Sequence, residues 1–398
     1  MIIRQKYLDF LIKTKDTEFI KVITGIRRSG KSYLLKMYEE YLLENGIDES
    51  HILYINMEEY RNEKYTNPDV LYKHIKTKYE NVKKGKFYIF IDEIQEVENW
   101  QRLINGIRVE FDSDIYITGS NASLLSGELA TYLSGRYIEI HVYPLSFKEY
   151  IDFRNSRESY DVQFYDYIEN GGFPSVVLQV SDELRKSALS GILDSIILKD
   201  VFYRGKISDE KTLNSVIDYV FDNIGNIISG NKIANYLTSN GNKVTNVTVD
   251  KYLSLLEKAF IIFKAERYDI RGKERLKNLG KYYIIDNGLR NKKLVKTYKD
   301  NLGSQVENIV YIELKRRGYE VNVGKYNNQE IDFIIRKDKK IEYFQVTRQI
   351  PDDSRETGNL LQLPDNFKKT IITANRMDVG YIDGIEVKHV VDFLLEGE

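Results

Sequence analysis

The sequence predicts an α/β fold: a parallel sheet with its helices comes first, then a largely helical middle and a second α/β region. Three observations predict the leading sheet. The apolar stretch Phe19–Thr24 runs into a glycine-rich loop and then into a helical pattern, Tyr33–Glu44. A second buried-strand pattern, Phe87–Ile91, ends in two acids. A third, "DIYITGSNASLL", turns polar at its carboxyl end, which is where open α/β sheets bind their ligands.

The loop after the first strand matches a phosphate-binding pattern in full. "GIRRSGKS" fits G-x-x-x-x-G-K-[ST], in which backbone N–H groups and a helix N-terminus cradle phosphates. Lys31 would reach the β and γ phosphates, and Ser32 would ligate Mg²⁺. The residues predicted to hold the nucleotide are Gly25, Ile26, Arg27, Arg28, Ser29, Gly30, Lys31, Ser32 and Tyr33.

The acids of "KFYIFIDEIQEV" are placed to serve the same phosphates. Asp92 would act through the metal ion, and Glu93 would orient or deprotonate the attacking water. Ser120 or Asn121, at the end of the third strand pattern, could sense the γ phosphate, although turns are rich in such residues anyway. We expect strand one to carry the loop, strand three the acids and strand four the polar sensor, with "HILYINMEEY" as a further strand.

Two arginines outside the loop are candidates for a finger or sensor beside the nucleotide. Arg136 follows a glycine just before another apolar strand pattern, and Arg204 lies in "LKDVFYRGKI". Either residue could instead be an ordinary surface arginine. An arginine acting in trans would require a homo-oligomer, and the sequence does not decide this point.

Composition limits the classes of function. The 398 residues suffice for two to four domains at roughly 100–200 residues each. The net charge of -1 means that any nucleic-acid surface must be a local patch, and the absence of cysteine excludes disulfides, thiolate metal sites and a cysteine nucleophile. No apolar run approaches the roughly 20 residues that span a bilayer, and the start is too charged for a signal peptide. We expect a cytoplasmic protein without a membrane partner.

The middle of the chain reads as helices followed by a hairpin. Residues 151–205 are helical in pattern, interrupted by the turn signal "NGGFPSVV". From Ser208, three short helices precede "IIFKAERYDIRGKERLKNLGKYYIID", which alternates like two strands around a basic tip. Helix, helix, helix and hairpin is the order of a winged helix.

A winged helix that binds DNA inserts its third helix into the major groove and touches the backbone with its wing. Between Lys264 and Lys281 there are seven Lys or Arg and three Asp or Glu, a net charge of +4. Winged helices also bind proteins, and a run of charge is often a solvated loop, so a protein partner remains open. The candidate DNA-binding residues are Lys243, Lys251, Arg267, Arg271, Lys273, Arg275 and Lys277.

The motifs together resemble a known family. "GIRRSGKS", "FIDEIQ", "TGSNASLL", "SGRY", "YPLSFKEY" and "NGGFP" occur in the order of the prokaryotic AAA-like ATPases that carry a C-terminal domain of unknown function. The resemblance covers nearly the whole chain and implies adenine rather than guanine, hence ATP or ADP. It implies an AAA/RecA-like core at 1–150, a helical lid at 151–205, a winged helix at 206–290 and a restriction-endonuclease-like domain at 291–398.

The last hundred residues resemble the PD-(D/E)XK nuclease core, in which acids from a helix and two strands hold metal ions that activate water. The resemblance matches Glu307 to the helix acid and Asp332 to the strand aspartate, with Glu330 nearby. The E-x-K positions fall on Gln345 and Thr347. An amide brings no charge, and a threonine cannot act as the amine does. We therefore expect a degenerate site without nuclease activity.

Three hypotheses follow from these patterns. The first is an Mg²⁺-dependent ATPase coupled to DNA binding. The second is an ATP-driven signalling or scaffold switch that binds protein instead. The third is an ATP-regulated nuclease, against which Gln345 and Thr347 argue.

Overall fold

The computed structural model describes residues 2–82, 84–125, 133, 135–351 and 355–396, with only the backbone at 123, 125, 276–279, 355 and 356. The chain divides into two compact units. The first comprises residues 1–143 and 258–260, and the second comprises 144–257 and 261–398. Among the described residues, no helix combines the length and apolar character needed to cross a membrane.

The first unit is built on a parallel sheet of five strands in the order β2-β3-β4-β1-β5. The strands are β1 (Ile20–Thr24), β2 (Ile52–Asn56), β3 (Phe87–Asp92), β4 (Ser113–Gly119) and β5 (Tyr137–His141). Strands β1 and β3 are buried along their whole length, as expected for a sheet covered on both faces. The predicted parallel sheet is confirmed, and its order places β4 between the strand that precedes the loop and the strand that carries the acids.

Helices cover both faces of this sheet. They are α1 (Gln5–Lys13), α2 (Lys31–Glu44), α3 (Pro68–Tyr79) and α4 (Trp100–Glu110), with 3₁₀ turns at Glu49–His51, Tyr60–Thr66, Ile94–Glu96 and Ala122–Leu125. Successive side chains of β1 point to opposite faces. Val22 accordingly packs in one apolar cluster with Ile104 of α4, and Ile23 packs in the other with Leu34 of α2.

The second unit begins with helices and carries further helices between and after its strands. The helices are α5 (Phe147–Arg154), α6 (Tyr160–Asn170), α7 (Pro174–Val177), α8 (Asp182–Ser195) with a π-helical continuation (Ile196–Tyr203), α9 (Glu210–Asp222), α10 (Gly230–Ser239), α11 (Asn246–Lys258), α12 (Asn287–Leu294), α13 (Leu302–Arg316), α14 (Arg355–Leu361) and α15 (Val390–Leu395). Three helices, α9 to α11, precede the hairpin, which is the order that the sequence predicts.

A nine-stranded mixed sheet forms the body of the second unit, in the order β13-β14-β12-β11-β10-β9-β7-β8-β6. Its strands are β6 (Ile227–Ile228), β7 (Ile262–Asp269), β8 (Glu274–Ile284), β9 (Glu320–Tyr326), β10 (Gln329–Lys337), β11 (Lys340–Thr347), β12 (Lys368–Thr373), β13 (Gly380–Ile382) and β14 (Ile385–His389). Strand β7 of the hairpin pairs in parallel with β9. The sheet therefore continues across residue 290, where the sequence suggests a boundary between two domains. By pairing with β7, strand β9 covers an edge that the hairpin alone would expose.

The "NGGFP" turn lies against a buried carboxylate. Gly171 has φ +75°, and a Cβ there would lie 1.9 Å from Oδ1 of Asp286. The N–H of Gly172 donates to Oδ2 of Asp286 at 2.7 Å, and Oδ1 accepts from the N–H of Leu289 at 3.3 Å. Burial raises the pKa of Asp286 to about 6. Gly171 thus lets the chain approach a carboxylate that also caps α12.

Candidate active site

The glycine-rich loop connects the carboxyl end of β1 to the first residue of α2. Gly25 has φ +139°, and a Cβ there would lie 2.2 Å from the carbonyl oxygen of Val142, so only glycine fits. Ile26 and Ser29 are fully buried, whereas Arg28 and Tyr33 are exposed. The loop therefore has the tight inner packing and the helix N-terminus that phosphate binding requires.

Lys31 is the first residue of α2, and its side chain folds back into this loop. Its side chain is only 4% exposed, and Nζ donates to the carbonyl oxygens of Gly25 at 3.0 Å and Ile26 at 3.2 Å. The same Nζ lies 4.0 Å from Oε1 of Glu93. An ammonium only donates, and it bonds more strongly to a charged acceptor than to a neutral one. A negatively charged phosphate oxygen can therefore replace either carbonyl as the acceptor for Nζ.

The acids of β3 are joined to β4 by one hydroxyl. Thr118 donates to Oδ1 of Asp92 at 2.5 Å and accepts from the N–H of Glu93 at 2.9 Å. Burial raises the pKa of Asp92, while hydrogen bonds from Ser32 and Thr118 act in the opposite direction. A hydroxyl and a carboxylate in contact are the hard oxygen donors that Mg²⁺ takes beside phosphate and water, so Ser32 and Asp92 fit this ion.

Glu93 adopts a strained backbone conformation. Its φ of +58° lies in the left-handed region, which costs about 1–3 kcal/mol for a residue with a side chain. Gln95 donates from Nε2 to Oε2 of Glu93, and the hydroxyl of Thr118 accepts from the backbone N–H of Glu93. Such strain is typical of functional positions, and here it directs a buried carboxylate toward Lys31. The sequence does not single out Thr118 or Gln95, although a polar residue late in an otherwise apolar strand was a usable signal for Thr118.

Ser120 and Asn121 follow β4 directly. They are 0% and 6% exposed. Because β4 lies between β1 and β3 and runs parallel to both, these side chains lie at the same edge of the sheet as the loop and the acids. The sequence predicts a γ-phosphate sensor at this place, and that role remains a proposal.

The structure does not bring Arg136 to this edge. Its carbonyl oxygen accepts from the N–H of Ile20, the first residue of β1, so it lies at the amino ends of the strands. Its side chain is exposed, with Nη1 3.5 Å from Oδ1 of Asn105. A finger role for Arg136 would therefore have to act on another copy of the chain. Arg204, in the second unit, pairs with Asp200 at 3.7 Å.

Two of the predicted DNA-binding arginines are already engaged by acids. Arg267 lies 3.9 Å from Glu330. Arg275 pairs with Glu320 and lies 4.0 Å from Glu266. These ion pairs compete with phosphate, so both arginines are weaker candidates than the sequence suggests.

The remaining cations of that set are more accessible. Arg271 and Lys273 are exposed at the turn between β7 and β8, and Lys251 is exposed on α11. Lys243 is also exposed, just before α11. The side chain of Lys277 lies outside the described residues. The hairpin tip thus presents two cations with no acid between them in the chain.

The residues matched to the nuclease core come together only in part. Glu307 and Asp332 share contacts with Lys281 of β8, which the sequence counts only as part of the basic stretch. Gln345 accepts from the N–H of Asp332 at 3.3 Å. Thr347 donates to the carbonyl oxygen of Gln349, so it does not join the acids.

Comparison with known proteins identifies the family. Residues 17–151 match the model of an AAA domain, and residues 161–300 match a domain of unknown function, DUF8612. An uncharacterized protein of Haemophilus influenzae is 49% identical, over 100% of this chain and 99% of that protein. Uncharacterized protein MJ1544 of Methanocaldococcus jannaschii is 32% identical, over 94% of this chain and 86% of that protein.

A solved structure shares the fold. The Walker-type ATPase PABY2304 of Pyrococcus abyssi is 16% identical, with a TM-score of 0.50 over 74% of this chain and 96% of that chain. This likeness concerns the fold alone. The resemblance to AAA-like ATPases is confirmed at this level, while the winged helix and the nuclease-like domain remain proposals. The chain belongs, with its H. influenzae and M. jannaschii relatives, to a family of AAA-like P-loop ATPases.

Proposed function

We propose that this protein hydrolyses Mg²⁺-ATP at the carboxyl edge of its first sheet and couples the nucleotide state to DNA binding by its second unit. One observation carries the enzymatic part: Lys31, Asp92 and Glu93 converge at one edge of the sheet, where Thr118 connects the two acids. A loop for phosphate, ligands for a metal ion and a carboxylate for water are the parts that phosphoryl transfer to water requires.

Each residue has a distinct part in this reaction. Lys31 binds the β and γ phosphates, and Ser32 and Asp92 hold the metal ion. When bound, Mg²⁺ neutralises charge on the phosphates. Glu93 orients the attacking water and accepts its proton, and Thr118 keeps Glu93 at the required distance. Water is partly excluded because Lys31, Asp92 and Glu93 are all buried.

The hairpin tip supports the DNA part of the proposal. Arg271 and Lys273 border a groove of about 940 Å³ that is also lined by Tyr268, Tyr326 and Phe367. Aromatic rings beside cations are what single-stranded nucleic-acid sites use, because the rings stack on bases and the cations bind phosphate. Asp365 also lines this groove, and Arg336 already lies over the ring of Tyr268, so the exposed ring of Phe367 is the one we expect to stack on an unpaired base.

ATP hydrolysis with duplex, single-stranded and branched DNA, across a salt series, tests this proposal. We expect one form to stimulate hydrolysis, with affinity that falls as salt rises. Arg271→Gln with Lys273→Gln should weaken binding and lower the slope of log affinity against log salt by up to about 0.7–0.9 per lost phosphate contact. Lys186→Gln, at an exposed position of α8, is the matched control.

A flat, slow rate with every form of DNA would contradict the coupling. That result would favour the switch that binds protein. The hairpin, in which Arg267 and Arg275 already pair with acids, would then be an ordinary solvated surface.

A further inference from the structure

Lys281 lies at the centre of three carboxylates in the second unit. Its side chain is 4% exposed, and Nζ lies 2.9 Å from Glu307, 2.9 Å from Glu330 and 3.3 Å from Asp332. An ammonium has three N–H donors, so each of them has a carboxylate acceptor. The nitrogen thus lies at the point toward which the acids converge.

Other groups engage the same carboxylates. The hydroxyl of Tyr283 donates to Oε1 of Glu307 at 2.6 Å, the oxygen that Lys281 also contacts. The N–H of Val346 donates to Oδ2 of Asp332 at 2.9 Å, while Oδ1 faces Lys281. Both oxygens of Asp332 and one of Glu307 are therefore already hydrogen-bonded within the protein.

The charges explain why the lysine stays there. Burial opposes a positive charge on Lys281, but the three carboxylates outweigh it and raise the pKa of the ammonium. Burial raises the pKa of Glu307 to about 7, against the attraction of Lys281, and also raises the pKa of Asp332. Removing the ammonium would leave these acids buried without a counter-charge, which is strongly destabilising.

A divalent ion does not fit the residues present. Mg²⁺ requires oxygens at about 2.0–2.1 Å in near-octahedral geometry, whereas these oxygens surround a nitrogen at hydrogen-bond distances. Within the described part of the chain, no group of three or more His, Asp or Glu side chains is arranged to hold a metal ion. Gln345 uses its Oε1 on a backbone N–H, and Thr347 lies apart.

We propose that Lys281 is the resident cation of this centre: its ammonium takes the place of a metal ion among Glu307, Glu330 and Asp332. The centre joins β8, α13 and β10, which are far apart in the sequence, and it keeps divalent ions out. It follows that these acids do not support metal-dependent cleavage of phosphodiesters.

The test replaces Lys281 and measures whether a divalent ion takes its place. Thermal melting of the full chain without nucleotide, in EDTA and in Mn²⁺, and Mn²⁺ binding followed by electron paramagnetic resonance are compared for wild type, Lys281→Met and Lys281→Met with Asp332→Asn. Lys21→Met is the matched control, because Lys21 is also a buried lysine but its ion pair is with a single acid, Asp114.

We expect Lys281→Met to melt lower than wild type in EDTA and to recover in Mn²⁺, with at least tenfold tighter Mn²⁺ binding than wild type. Adding Asp332→Asn should abolish the recovery, and Lys21→Met should show none. Mn²⁺ binding by wild type that Asp332→Asn removes would overturn the proposal, as would a folded Lys281→Met that no divalent ion stabilises. If Lys281→Met does not fold, the wild-type titration against Asp332→Asn alone still decides.

Discussion

Replacing Thr118 by valine separates the role of its hydroxyl from its shape. Valine keeps the branched side chain but loses the donor to Asp92 and the acceptor for the N–H of Glu93. A buried N–H left without a partner costs about 1–3 kcal/mol, and a hydrogen bond to a charged group contributes about 1.5–3 kcal/mol. We expect the free energy of unfolding of the first unit to fall by about 3 kcal/mol. For a unit of this number of residues, such a loss lowers the melting temperature by about 6–12 °C.

The same substitution should impair hydrolysis more than binding. Glu93 is held in a strained conformation, and a displacement of about 1 Å can cost about 100-fold in rate. We expect kcat for ATP to fall by about 10- to 100-fold while nucleotide affinity changes by less than about threefold, because Lys31 and the loop are untouched. Steady-state hydrolysis and equilibrium binding of a fluorescent nucleotide measure the two quantities.

Thr370→Val provides the matched control. Thr370 lies on β12, is 2% exposed, and its hydroxyl has no hydrogen-bond partner among the described residues. Replacing an unpaired buried hydroxyl by a methyl should be neutral or stabilising, by about 0–1 kcal/mol. If Thr118→Val melts and hydrolyses like Thr370→Val, the hydroxyl of Thr118 does not position the acids and the reasoning fails.

Three further outcomes are expected. Lys31→Ala should abolish tight nucleotide binding, measured by fluorescence titration, and hydrolysis at the native rate would show that the site is wrongly assigned. Gly171→Ala should destabilise the fold by more than about 3 kcal/mol in denaturant melts, because the new Cβ would meet Asp286. The control is Gly191→Ala in α8, where a new Cβ would have no atom within 4 Å and should stabilise the fold by about 0.5–1 kcal/mol. The pKa of Asp286 is raised to about 6, so protonation of this side chain favours the folded state. The stabilisation is complete below the ordinary pKa near 3.8 and is lost as pH rises through about 6. Wild type should therefore gain up to about 3 kcal/mol over Asp286→Asn between pH 7 and pH 4 in denaturant melts, and a constant difference would refute the shift.

Local patterns predicted which residues meet at the carboxyl edge of the first sheet, and their roles there remain a proposal. The phosphate loop and Glu93 each follow a strand along the chain, Asp92 ends one, and parallel strands bring their carboxyl ends together. The same rule explains why Arg136 is misplaced for a role in its own chain. It precedes its strand, and residues that precede parallel strands lie at the opposite edge.

Side-chain partners from distant segments could not be predicted in this way. Thr118 acts on Asp92 only because β3 pairs with β4, and its place late in an apolar strand marks it as unusual without indicating which residue it contacts. Lys281 lies 26 residues before Glu307 in a stretch whose charge suggests a solvated wing. Only the packing of β8 against α13 shows that this lysine balances buried acids.

Mg²⁺-ATP hydrolysis by Glu93→Gln, compared with wild type, tests the central claim most directly. Glutamine keeps the shape of the side chain but removes the charge that accepts a proton. The control, Glu59→Gln, removes a partly exposed acid in the segment after β2. The proposed role predicts that Glu93→Gln binds ATP with nearly native affinity and hydrolyses it about 10²- to 10⁴-fold more slowly, with Glu59→Gln unaffected. Native turnover by Glu93→Gln would contradict the assignment of this edge of the sheet as the catalytic site.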